Sequence, residues 1–104
     1  MSERIKELQT VEQNLQAYGV QKHAAQQQQL ETESALRELE KSPEAFRIVG
    51  NLMVKAEKPA LEKELRERRE TLRARVETIE RQEARLRTDA ERLQEAVLSE
   101  MRES

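Results

Sequence analysis

Cysteine is absent from this chain, and with it go disulfide scaffolds, thiolate zinc sites and cysteine nucleophiles. Tryptophan is absent as well, and Tyr18 and Phe46 are the whole aromatic complement, too few for an ordinary round core. Only two glycines and two prolines are available as strong punctuation, and Pro43, Gly50 and Pro59 fall close together. Neither sign of charge dominates. The 19 Lys and Arg against 21 Asp and Glu leave a net charge of -2, so no positive field exists to hold a nucleic acid or an anionic membrane. No uncharged apolar run approaches the roughly 20 residues of a bilayer span. The opening Met1-Ser2-Glu3-Arg4-Ile5-Lys6-Glu7 carries no apolar signal core. A soluble, cytoplasmic protein is expected, with no nucleic-acid and no membrane partner.

What is present is charge and periodicity. Charged residues make up 38% of 104 residues, which leaves room for one domain, 1–104, and argues against a globular enzyme. Leu8, Val11, Leu15, Tyr18, Lys22, Ala25, Gln29, Thr32, Leu36 and Leu39 step by alternating 3 and 4, one stripe of a heptad-patterned helix over 3–41. A second stripe runs through Leu65, Arg69, Leu72, Val76, Ile79, Glu83, Leu86, Ala90, Leu93 and Val97 in a helix over 59–103. At about 1.5 Å per residue these helices are roughly 58 and 67 Å long, so they must pack lengthwise. Ser42-Pro43 ends the first, because the residue before a proline is pushed out of the α region. Pro59 at the first helical position opens the second. Glu62 with Arg66, Glu64 with Arg68, Glu77 with Arg81 and Glu83 with Arg87 stand four apart in the favourable order, each worth roughly 0.2–0.5 kcal/mol.

Between the helices lies Phe46-Arg47-Ile48-Val49-Gly50-Asn51-Leu52-Met53-Val54-Lys55. Two apolar, β-branched runs flank Gly50-Asn51, and a two-residue loop with glycine first suits a type II′ turn. The expected register opposes Val49 to Leu52 and Arg47 to Val54 on one face, and Ile48 to Met53 and Phe46 to Lys55 on the other. The fold class is therefore mainly α: a long antiparallel coiled-coil helical hairpin with a β-hairpin over 46–55 inserted between its helices. An isolated two-stranded hairpin is marginal in water, and one with two apolar faces and two free edges must find other strands. The chain has no further strand candidates, so oligomerisation through Phe46, Ile48, Val49, Gly50, Leu52, Met53 and Val54 is expected.

An aromatic, a basic residue and an aliphatic pair ending in Gly50, followed by an aliphatic triplet ending in Val54, resembles the hairpin of β-type prefoldin subunits. The stretch Thr78-Ile79-Glu80-Arg81-Gln82-Glu83 is also similar to that family's second helix. The resemblance covers essentially the whole chain, with the hairpin as its specific part. It implies a hexameric co-chaperone of two α-type and four β-type subunits whose hairpins join into β-barrels and whose coiled coils hang down as tentacles. It further implies partners in α-type prefoldin subunits and further copies of this chain. Non-native client proteins would be held at the tentacle tips without ATP and passed to a group II chaperonin.

Folding back at Gly50 brings Ile5 and Leu8 to one apolar tip with Val97, Leu98 and Met101, and pairs positions whose numbers sum to about 101–105. Either all five zip the last turn of the seam, or Ile5, Leu98 and Met101 leave apolar surface for clients, a role the flexible methionine thioether suits. The same register sets Lys22 opposite Glu80 and Glu83, and Lys22, Gln29 and Thr32 read as polar seam residues that specify pairing. His23, alone, completes no metal site. The second helix's carboxylates interleave with arginines rather than forming an acid and base pair, and Arg66, Arg68, Arg69, Arg73 and Arg75 are offset by Glu62, Glu64, Glu67, Glu70 and Glu77. No catalytic residue, cofactor or metal is expected, and no phosphate-cradling glycine loop exists in the chain. Two functions remain: a co-chaperone subunit, or a structural coiled-coil adaptor or spacer without client binding.

Overall fold

A computed structural model of the chain describes residues 2–103. Its elements are α1 (Ser2–Lys41), β1 (Ala45–Val49), β2 (Leu52–Ala56) and α2 (Lys58–Glu103). The fold is the expected one, two long helices with a two-stranded antiparallel sheet between them in sequence. The strand register is also as expected, Phe46 to Lys55, Arg47 to Val54, Ile48 to Met53 and Val49 to Leu52, with Ala45 to Ala56 added at the base. Gly50 has φ +60° and among the described residues no other residue type takes a positive φ, so the first turn residue is left-handed and Asn51 is not. That combination belongs to a II′ turn, which only glycine enters freely at its first position.

The helix ends follow local chemistry. At the end of α1 the Ser42 N–H donates to the Leu39 carbonyl at 3.2 Å, and its hydroxyl donates to the Glu38 carbonyl at 2.9 Å. Pro43 then blocks continuation. At the start of α2 the Leu61 N–H reaches the Glu57 carbonyl at 3.0 Å, so the helix begins at Lys58 and Pro59 is its second residue, not its first. The correction is harmless to the helix, because N–H groups throughout the first turn have no intrahelical acceptor. Lys58 also explains how α1 is finished: its Nζ donates to the Ser42 carbonyl at 2.9 Å, placing a cation where the carbonyls of α1 are left over.

The chain divides into two compact units. The first joins the N-terminal stretch through Ala24 to the stretch from Val76 onward. Here Val76, Ile79, Glu83 and Leu93 are buried, while Leu8, Val11, Leu15, Tyr18, Lys22, Leu86, Ala90 and Val97 are half-buried. The helices run antiparallel, since Lys22 Nζ donates to Glu83 Oε1 at 2.7 Å and Arg4 pairs with Glu100, again at 2.7 Å. Of the two carboxylates facing Lys22 in the expected register, Glu83 takes the bond, and its side chain is only 4% exposed. Arg87 stands 3.9 Å away on the other side of that carboxylate.

The second unit is Ala25–Arg75, with Ala25, Thr32, Leu36, Leu39, Ala45 and Leu72 buried. Thr32 is accommodated at a seam position because its hydroxyl donates to the Gln28 carbonyl at 2.8 Å, so its own buried oxygen is not stranded. Gln29, Leu65 and Arg69 are half-buried there. Every position of both heptad stripes is thus buried or half-buried in the unit it belongs to.

The buried carboxylate makes the seam sensitive to what faces it. Lys22→Glu sets two carboxylates against each other, whereas Lys22→Leu leaves Glu83 with Arg87. Lys22→Glu should therefore lower stability by about 1–2 kcal/mol more than Lys22→Leu. Thermal unfolding followed by helical circular dichroism checks this, and equal losses would contradict the pairing.

Candidate functional site

The β-hairpin leaves most of its surface uncovered. Phe46, Ile48, Val49, Leu52, Met53 and Val54 are all exposed, from 48% at Val54 to 72% at Leu52. Strand alternation places Arg47, Val49, Leu52 and Val54 on one face, with Ala45 and Ala56 at its base, and Phe46, Ile48, Met53 and Lys55 on the other. Ala45 is buried and Ala56 half-buried, so the sheet is anchored at its base and free toward Gly50.

One polar tie joins the sheet to α2. Arg47 Nη1 donates to Glu64 Oε1 at 3.2 Å and Nη2 donates to Oε2, a bidentate pair. The hydrogen bond from Arg47 pulls the Glu64 carboxyl below its ordinary value of 4.5, against an opposing effect of desolvation, and the same bond raises the Arg47 guanidinium further. Sequence spacing pairs Glu64 with Arg68 instead; in the structure Glu64 turns to Arg47. Likewise Arg81 donates to the Thr78 hydroxyl at 3.3 Å. Glu62 with Arg66, at 3.7 Å, and Glu83 with Arg87 do pair as spaced.

The second candidate region lies in the first unit, where α1 begins and α2 ends. Leu8 and Val97 are half-buried, whereas Ile5, Leu98 and Met101 are exposed at 38%, 50% and 56%. The five predicted tip residues thus split into two that contribute to the seam and three that present apolar surface. The ion pair of Arg4 with Glu100 joins these ends, and its numbers sum to 104, within the register expected from the fold-back at Gly50.

His23 is exposed. Arg73 pairs with Glu70 at 3.2 Å and Arg92 with Asp89 at 3.5 Å, as expected for a solvated helix face. Among the described residues no group of three or more His, Asp or Glu is placed to hold a metal ion, and no helix is long and apolar enough to cross a membrane.

Two long helices with a small apolar sheet between them in sequence, tied to the second helix, define a structural subunit type in which the sheet is the distinctive part. Comparison with known proteins gives that type a family. The model for the family described as "Prefoldin subunit" matches residues 2–103. Prefoldin subunit beta of Methanosarcina acetivorans is 40% identical over 97 residues, covering 90% of this chain and 83% of that protein. The corresponding protein of Archaeoglobus fulgidus is 38% identical over 86 residues, covering 80% and 74%. The crystal structure of the prefoldin beta subunit from Thermococcus strain KS-1 superposes with a TM-score of 0.87 at 33% identity, covering 97% of this chain and 91% of that one. The chain belongs to the prefoldin family, a family of chaperone components, and its likeness is to the β-type subunits.

The depressed Glu64 carboxyl has a pH consequence of definite sign. A carboxylate whose folded value lies below its unfolded one contributes fully above about 4.5 and loses that contribution as pH falls through the lower folded value. NMR titration of the side-chain carboxyl should place the Glu64 midpoint below 4.5, and Arg47→Ala should return it to the ordinary glutamate range. A midpoint unmoved by Arg47→Ala would show that the pair does not persist in solution.

Proposed function

We propose that this chain is an ATP-independent co-chaperone subunit that assembles through its β-hairpin, holds non-native proteins at the helix ends formed by Ile5, Leu8, Val97, Leu98 and Met101, and delivers them to a group II chaperonin. Its assembly partners are α-type prefoldin subunits and further copies of itself, in a cytoplasmic hexamer. The whole chain, 1–104, acts as one domain, and no nucleotide, metal or other cofactor takes part.

The observation that carries this proposal is the uncovered hairpin. Six apolar side chains exposed on a five-residue pair of strands are a liability in a lone molecule and an asset in an assembly that adds strands to both edges. Capture would be passive. Among the described residues each pair of helix ends offers Ile5, Leu98 and Met101 as exposed large apolar groups, so a single contact is weak. Useful affinity then comes from several subunits gripping one unfolded chain at high effective concentration. The competing role, a structural adaptor or spacer without client binding, needs the seam but has no use for these three exposed side chains.

Two experiments separate the parts. Val49→Asp with Val54→Asp should leave helical content nearly intact while dissolving the assembly formed with an α-type prefoldin subunit, as read by sedimentation; an unchanged assembly would remove the hairpin from this role. Deleting residues 1–8 and 97–104 should abolish suppression of aggregation of an unrelated unfolding protein while the assembly survives. If the truncated assembly still protects as well as the full chain, clients are held elsewhere and the helix-end assignment fails.

A further inference from the structure

We propose that the Arg47–Glu64 pair is a positioning clamp: it presets the angle of the β-hairpin on α2 and cancels the Arg47 charge on the sheet face that assembly covers. The inference rests on hairpin-driven assembly as proposed above and assigns residues to the orientation of the assembling element.

The hairpin has few other restraints. Three residues, Ser42, Pro43 and Glu44, connect it to α1, and Glu57 alone connects it to α2. Ala45 is its one buried side chain, at the very base. From that base each strand of five residues reaches about 16 Å at roughly 3.3 Å per residue. A rotation of about 10° at the base would move the turn by about 3 Å, as much as the whole length of an N–H···O hydrogen bond, roughly 2.7–3.2 Å. Strand addition at the hairpin edges therefore requires the angle to be held, and the buried alanine alone is a poor hold.

Arg47 lies two residues outboard of Ala45 and grips Glu64 with both prongs of its guanidinium. Two parallel hydrogen bonds resist both swing and twist, which one point charge on a flexible stem would not. The pair also solves an electrostatic problem. Arg47 stands opposite Val54 on the face that carries Val49 and Leu52, and residues 45–56 include no carboxylate of their own. Covering that face with an apolar partner would strand the guanidinium unless α2 supplied the counter-charge. Glu64 supplies it within the chain, so the partner needs no acid there. Exposed ion pairs are often worth nothing measurable, and the bidentate geometry is what separates this one from the solvated pairs farther along α2.

The absence of cysteine makes a direct test simple. Spin labels at Asn51→Cys and Thr71→Cys, with labelled chain diluted into unlabelled chain, report the distance distribution between the turn and α2. Sedimentation with an α-type prefoldin subunit reports the concentration of half-assembly. Glu64→Arg, which opposes two cations, should widen the distribution about twofold and raise the half-assembly concentration about tenfold, while Arg47→Lys falls between it and the parent. Arg47→Glu combined with Glu64→Arg should restore both, and Glu67→Arg, an equal charge change one turn along, should alter neither. A distribution as narrow in Glu64→Arg as in the parent would overturn the clamp, as would a widened distribution with unchanged assembly or a charge swap that restores neither. Assembly that survives Val49→Asp with Val54→Asp would instead remove the hairpin-assembly reading, and the distance distribution would still decide whether Glu64 holds the hairpin.

Discussion

Helices of 40 and 46 residues with mostly charged and polar surfaces are held by what covers one narrow stripe of each, and every other feature of the chain depends on that seam. Helical propensity contributes little to such lengths on its own; tertiary packing of the apolar face supplies most of the stability. The stripe on α1 is the weaker, because Lys22, Gln29 and Thr32 replace apolar residues along it. Two of them are resolved in different ways. Lys22 finds Glu83 across the seam, and Thr32 returns its hydroxyl to its own helix at Gln28. An ion pair across the seam is a poor source of stability and a good source of register, since a slip by one heptad would leave the buried Glu83 carboxylate facing Leu15 or Gln29.

Where the helices hand over to the sheet, side chains do the work that a larger protein would give to a core. Lys58 opens α2 and at the same time closes α1 by donating to the Ser42 carbonyl. Gly50 supplies the left-handed turn residue. Ala45 is small enough to be buried at the foot of the sheet, and Arg47 reaches sideways to α2. The hairpin so held is complete as a piece of backbone and incomplete as a piece of surface. Its ladder is paired within itself, but beyond the buried base and the Arg47–Glu64 tie its apolar side chains are exposed. Such an element is stable in isolation only marginally, which is the physical case for reading it as half of an interface.

The proposed role divides between two stretches with different demands. Assembly asks for an ordered apolar sheet with its charges already paired within the chain. Holding unfolded chains asks for apolar groups that are exposed, few and adaptable, and Ile5, Leu98 and Met101 answer that description. Neither stretch calls for a titrating nucleophile or a phosphate cradle, in keeping with membership of a chaperone family.

Most of the backbone could be read from the residues alone, because its rules are local. Alternating steps of 3 and 4 define a stripe whatever it packs against, Pro43 and Pro59 bracket a break, and Gly50 followed by Asn51 favours one turn and hence one strand register. The strand register and the burial of both stripes follow directly, while the strands run one residue further at each end than the expected 46–55. Side-chain partners were another matter. Along α2, glutamates and arginines recur so often that each acid has several bases within reach. A pair at helix spacing is worth only a few tenths of a kcal/mol, too little to select among them. Glu64 could serve Arg68 by sequence and serves Arg47 in space, and Arg4 meets Glu100 from the far end of the chain. Those choices depend on which charges the folded chain brings within about 4 Å, with geometry good enough for two hydrogen bonds. The split of the five predicted tip residues has a different origin: Leu8 and Val97 stand on the two stripes and are half-buried, while Ile5, Leu98 and Met101 lie off them and are exposed, so periodicity alone sorts them. What the tertiary structure alone decided is which charge meets which, because that depends on side chains brought together from separate stretches of the chain.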